Sequence, residues 1–142
     1  MAWQDSPPAS PAAGSGAGAP AQPEPLAAAR INELVEQVGA DFVANLLVSH
    51  LGHTQAQMLA LREALADGKL PAAAEIFHAM KGASGTLGFV RAEKLAAGAE
   101  MAARRGEGAG LETVAAELEA ATEAGAAGAR ALLAGRADAT AG

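Results

Sequence analysis

Cysteine and tyrosine are absent from this 142-residue chain, which also holds only one tryptophan and three phenylalanines. The lack of thiols excludes a disulfide framework, a thiolate metal site and a cysteine nucleophile. Aromatics amount to 3% while hydrophobic residues reach 51%, much of it alanine. A core of alanine and leucine suits close-packed helices, whereas a sheet draws on valine, isoleucine and aromatic residues. Basic residues are also scarce, with 10 Lys and Arg against 16 Asp and Glu and a net charge of −6. That balance argues against a nucleic-acid partner, whose phosphates call for clustered Lys and Arg. No apolar run approaches the roughly 18 residues of a membrane span. The first residues lack the charged and apolar regions of a secretory signal. A cytoplasmic protein of one domain with a tail is the expectation.

Six of the seven prolines fall within residues 1–25, among alanine, glycine and serine without helical or strand period. Each proline fixes φ and removes a backbone donor. The segment offers too little apolar surface to offset its ordering entropy. Residues 1–25, Trp3 included, are therefore expected to form a disordered tail or linker. A helical period begins at Leu26 and marks a domain over residues 26–134. The first helix covers about residues 25–38, with Leu26, Ile31, Leu34, Val35 and Val38 on its apolar side, and Gly39 ends it. Asp41 is the expected N-cap of a long second helix that runs to about residue 66. Its stripe holds Val43, Leu47, His50, Met58, Leu61 and Leu65. Asp67-Gly68-Lys69 closes that helix, and Pro71 suits the first turn of a third, over residues 71–88. A fourth is expected over 92–105 and, after the glycine-rich turn 106–110, a fifth over 111–133, interrupted by Gly125 and Gly128. Residues 135–142 are expected to fray. Short loops favour antiparallel neighbours, hence an all-α up-and-down four-helix bundle with a short extra N-terminal helix.

The third helix carries the chemistry, in the run His78-Ala79-Met80-Lys81-Gly82-Ala83-Ser84-Gly85-Thr86-Leu87-Gly88. At about 100° per residue, Ala73, Phe77, Met80, Ser84 and Leu87 share one side and face the core. His78, Gly82 and Gly85 share another sector, with Glu75 beside them and Lys81 on the flank. Glycine in a helix interior costs about 1 kcal/mol against alanine. Two glycines one and two turns from an exposed histidine therefore suggest a surface that another molecule approaches closely. Imidazole is a nucleophile that titrates near neutrality and a known covalent carrier. Phosphoryl transfer asks chiefly for in-line positioning and charge compensation. Lys81, one turn away, can neutralise phosphoryl oxygens on His78. The chain has no base triad, Mg²⁺ carboxylate cluster or nucleotide-binding glycine loop, so a partner would have to bring the rest of the active site.

His-x-x-Lys-Gly, then small residues, then Leu-Gly, resembles the motif of histidine-containing phosphotransfer (HPt) domains of two-component phosphorelays. The resemblance spans about residues 26–133, including the Leu61-Arg62-Glu63-Ala64-Leu65 run and the Asp67-Gly68 turn ahead of the motif helix. It implies that His78 is phosphorylated on Nε2, that Lys81 steadies the phosphoryl group, that Gly82 and Gly85 keep the docking face low, and that Leu87-Gly88 closes the helix beside it. It also implies a carrier without autokinase or ATPase activity and without a cofactor of its own, the Mg²⁺ belonging to the partner. The implied partners are response-regulator receiver domains and a hybrid histidine kinase. The chain departs from the family at His50, where an aromatic is common, and at Ala99-Glu100, where Leu-Glu is usual. Both departures are expected to bear on core packing rather than on the motif.

Other residues admit blander readings. His50 and His53 stand at a spacing that can bind metal, but no Asp, Glu or Cys joins them at ligand spacing. His50 is expected to be partly buried and His53 exposed. Glu75 could orient Nδ1 of His78, though plain surface charge is the favoured reading. Arg104 and Arg105 suit the negative end of the fourth helix. Phe89 and Arg91 follow the motif helix and could cap it, and Leu87 and Phe89 are candidate apolar contacts at the rim of a docking face. Two rival classes are a binding module that docks receivers without transfer and the dimerisation helices of a histidine kinase. The latter wants an acidic residue after the histidine, where Ala79 stands. Because the second half of the bundle does not repeat the first, one chain can close it, and a monomer is expected.

Overall fold

A computed structural model describes residues 23–141, with side chains through residue 136. Most of the expected tail, Trp3 included, lies outside the described residues. Five helices follow one another: α1 (Ala28–Val38), α2 (Ala40–Ala66), α3 (Leu70–Leu87), α4 (Val90–Arg104) and α5 (Leu111–Ala141). No strand occurs among the described residues. Helices α2 to α5 form a closed antiparallel ring in which α3 and α4 share the largest interface, and α1 packs on α2 and α5. The all-α bundle with an extra N-terminal helix is therefore the fold of this chain.

The three turns of the ring share one chemistry. Gly68, Gly88 and Gly106 each take positive φ, at 69°, 75° and 77°. The amide after each glycine donates back to the fifth residue before it, Lys69 to Ala64, Phe89 to Ser84 and Glu107 to Ala102. This pairing satisfies carbonyls that a helix end leaves open. The connections are short, three residues between α2 and α3, two between α3 and α4 and six between α4 and α5, which is why successive helices lie antiparallel.

Alanine lets the helices approach closely. Ala73, Ala74, Ala92, Ala96, Ala99, Ala103, Ala115 and Ala121 are all buried, with Phe77, Phe89, Leu47, Met58, Leu61 and Leu118 filling the space between them. The α2 stripe differs from expectation at three positions, where Thr54 and Ala64 are buried and Leu65 only partly so.

Two expectations need correction. Asp41 is not an N-cap: α2 starts at Ala40, directly after Gly39 at φ 91°. The acid sits in the first turn, where it still favours the positive helix end. The fifth helix passes through Gly125 and Gly128 without a break and continues to Ala141. Both glycines face neighbours rather than mark ends. A Cβ on Gly125 would stand 2.8 Å from the ring of Phe89, and one on Gly128 3.2 Å from Leu26. Beyond residue 133, Arg136 ties α5 to Asn32 of α1 at 3.1 Å.

Candidate functional site

Burial of Ala73, Phe77, Met80, Ser84 and Leu87 fixes the rotation of α3, and that rotation turns His78 outward. Its side chain is 59% exposed. Behind the ring, from α4, stands the carboxylate of Glu100, with Oε2 3.1 Å from Nδ1 of His78. The other oxygen, Oε1, is 3.0 Å from Nζ of Lys81. Arg104, one turn along α4, donates to Oε2 through Nε at 3.0 Å and lies 2.9 Å away through Nη2. Arg104 also reaches Glu75 at 3.5 Å. One nearly buried carboxylate thus binds an imidazole, an ammonium and a guanidinium.

The bonds from Lys81 and then Arg104 hold the Glu100 carboxyl down to about 2, outweighing the opposing effect of burial. A carboxylate accepts only, so the atom facing it at Nδ1 must be the donor. That selects the Nδ1–H tautomer and leaves the Nε2 lone pair directed away from Glu100. The arrangement offers an oriented nucleophile, a cation one turn away, and a fixed negative charge behind the ring to oppose positive charge developing on it.

Glu100 is the member that the sequence reading misplaced. The sequence pattern points to core packing, away from the motif, yet Glu100 touches both His78 and Lys81. Glu75, the acid considered for Nδ1, pairs with Arg104 instead. A signal did exist: Glu100 follows Ala96 and Ala99 on a stripe that Ala92 and Ala103 continue, and an acid on a buried stripe needs a partner. Arg104 likewise does more than answer the helix dipole, whereas Arg105 pairs, among the described residues, only with Glu107, at 3.8 Å.

The remaining motif residues divide. Gly82 is exposed, with nothing within 4 Å of where a Cβ would stand. Gly85 faces the Glu93 carboxylate of α4, which a Cβ would meet at 3.0 Å, so its small size already serves a helix–helix contact. Leu87 and Phe89 are corrections to the expected rim, being 2% and 0% exposed. They anchor the end of α3 from inside the bundle. Gly88 is buried and packed under α1: a Cβ there would meet Cβ of Arg30 at 2.6 Å, and its carbonyl accepts from the amide of Ala27 at 2.8 Å. Arg30 adds a bond from Nε to the carbonyl of Thr86 at 2.8 Å. Of the four residues assigned to docking, only Gly82 presents an open surface. Arg91 reaches back to the carbonyl of Pro23 at 3.0 Å.

His50 is half-buried and His53 exposed. The rings of His50 and Phe89 meet edge to face, with centroids 5.3 Å apart. Nε2 of His50 has no hydrogen-bond partner among the described residues. Burial, and secondarily His53, lower the pKa of His50. The pair lines a cleft of about 220 Å³ between α2 and α3, with Leu46, Ser49, Ala83 and Thr86. No group of three or more His, Asp or Glu among the described residues is placed to hold a metal ion.

The described residues thus form an all-α bundle that presents one oriented imidazole on an open helix face. Residues 45–128 match the family model of the Hpt domain, and the chain belongs to that family. Membership places it among the phosphotransfer intermediates of two-component signalling. Its fold is similar to that of histidine-containing phosphotransfer protein B (HptB) from Pseudomonas aeruginosa PAO1. The two share 24% identity with a TM-score of 0.68, over 79% of this chain and 93% of the other. No curated protein sequence matches this chain. No helix among the described residues is long and apolar enough to cross a membrane.

Proposed function

We propose that Nε2 of His78 accepts a phosphoryl group from the aspartyl phosphate of one receiver domain and delivers it to the aspartate of another. The observation that carries this reading is the exposed imidazole held through Nδ1 by Glu100 at 3.1 Å. The Nε2 lone pair attacks phosphorus, an N–P bond forms, and the P–O bond to the aspartate breaks with its electron pair leaving on the carboxylate. The proton stays on Nδ1, so the phosphorylated ring is cationic and faces the Glu100 anion. Delivery runs the same steps in reverse: the P–N bond breaks, the electron pair returns to Nε2, and neutral imidazole is the leaving group.

Lys81 serves the transferring oxygens, where a positioned cation acts on charge in a water-poor contact. Gly82 keeps the surface beside His78 low enough for the partner's aspartate to come in line. Receivers are the proposed donors and acceptors, with a hybrid histidine kinase upstream, and the Mg²⁺ of the reaction is proposed to reside on the receiver. The protein is proposed to act as a cytoplasmic monomer.

The test is transfer of labelled phosphate from phosphorylated receiver domains to the wild type and to His78→Gln. An acid-labile, base-stable label on the wild type and none on the variant supports the reading. Receivers that bind both proteins but label neither would leave a docking module in its place.

A further inference from the structure

The Glu100 cluster contains one cation more than orientation of His78 requires. Lys81 and Arg104 both bind the carboxylate, on different oxygens. Lys81 is the cation one turn from His78, and its side chain is 35% exposed, free enough to swing toward a group on Nε2. Arg104 is held differently. Two of its nitrogens converge on Oε2, and Nη2 also lies 3.5 Å from Glu75.

If Lys81 turns to the phosphoryl oxygens, Glu100 loses its Oε1 partner at the moment when the ring in front of it becomes cationic. A buried carboxylate stripped of its cations would be costly to keep ionised and in place. Arg104 removes that cost, because it binds the same oxygen that faces Nδ1.

We infer that Arg104 is a positioning residue that holds Glu100 against Nδ1 of His78, so that Lys81 can exchange Glu100 for the phosphoryl group during transfer. This rests on His78 as phospho-acceptor for its kinetic consequence, but the positioning itself exists in the unphosphorylated protein. The planar guanidinium suits the task, since its donors form a fixed fork.

Two measurements test it. Long-range ¹⁵N–¹H spectra of the wild type should show His78 as the Nδ1–H tautomer. Arg104→Met should shift the ring toward a mixture of tautomers, and Arg104→Lys should restore the wild-type pattern in part. An unchanged tautomer in a folded Arg104→Met protein would overturn the inference. This experiment needs no partner, so its failure is distinct from failure of wild-type phosphotransfer.

The second measurement is a double-mutant cycle on receiver-to-protein transfer. Lys81→Ala alone should slow transfer by on the order of 10²-fold. In the Arg104→Met background Lys81 stays committed to Glu100, so removing it should slow transfer by less than about threefold further. Additive losses would show that the two cations act independently and would also overturn the proposal. Arg104 is about half exposed, and helix content by circular dichroism should not change in either variant.

Discussion

Oε2 of Glu100 stands 3.1 Å from Nδ1 of His78, although 22 positions of chain separate the two residues. The contact crosses the seam between α3 and α4, the tightest pair in the bundle. It converts an exposed histidine into one with a defined tautomer and a defined free lone pair.

Glu100→Ala should therefore slow receiver-to-protein transfer more than Glu100→Gln does. The amide keeps an acceptor opposite Nδ1 while losing the charge that faces a cationic ring. Losses of on the order of 10²-fold for alanine and about tenfold for glutamine are expected, within the range for a group that assists proton placement or charge in the transition state. Single-turnover transfer kinetics decide it, and equal rates for both variants and the wild type would remove Glu100 from the reaction.

The same carboxylate should leave a mark on acid stability. Glu100 titrates at about 2 in the fold against an ordinary 4.5, because Lys81 and Arg104 bind its charged form. As pH falls, the unfolded chain takes up this proton first. The stabilisation is therefore complete above about pH 4.5 and lost as pH falls through about 2. Thermal melts between those limits should fall less steeply for Glu100→Gln than for the wild type.

His50 acts in a different window and with the opposite charge. Burial keeps its ring neutral in the fold below the ordinary value of 6.5, so the unfolded chain again binds the proton first. Stability should decline as pH drops below about 6.5 and on through the lowered folded value. His50→Phe removes the titration, and the 220 Å³ cleft beside it leaves room for the larger ring. A melting temperature in that variant that still tracks pH from 7.5 to 5.5 as the wild type does would assign the effect elsewhere.

Two glycines should respond in opposite ways to alanine. Gly82 sits mid-helix with open space around it, so Gly82→Ala should stabilise the protein by about 0.5–1 kcal/mol. Gly82→Gln should slow receiver transfer by about tenfold or more while keeping the fold, since bulk then stands beside His78 where in-line geometry is exacting. Gly125→Ala places a Cβ 2.8 Å from the buried Phe89 ring. Overpacking of that kind costs about 1–3 kcal/mol, and denaturant melts of the two alanine variants should shift in opposite directions.

Much of the architecture was legible because its determinants are local. Glycines at 39, 68, 88 and 106 mark chain reversals by their tolerance of positive φ, and spacings of three and four mark the faces. The α3 stripe is legible apart from Ala74, and with it the outward direction of His78, since a residue next to Phe77 and two before Met80 cannot share their side. Gly125 and Gly128 misled because a glycine that makes room for Phe89 or Leu26 looks in one dimension like a glycine that ends a helix. Leu87 misled in another way. Proximity in sequence to the motif suggested a docking role, but its register with Met80 and Ser84 put it inside.

By itself, then, the sequence determined five helices, their order, the faces of the first three, and one histidine on the solvated side of the third. These follow from backbone geometry repeated every 3.6 residues. Only the tertiary structure decided which acid meets Nδ1. Glu75 is one turn away on the same helix, whereas Glu100 is on the next. The choice depends on the rotation and offset of α4 against α3, which are set by how buried alanines on both helices pack, and no local pattern encodes that offset.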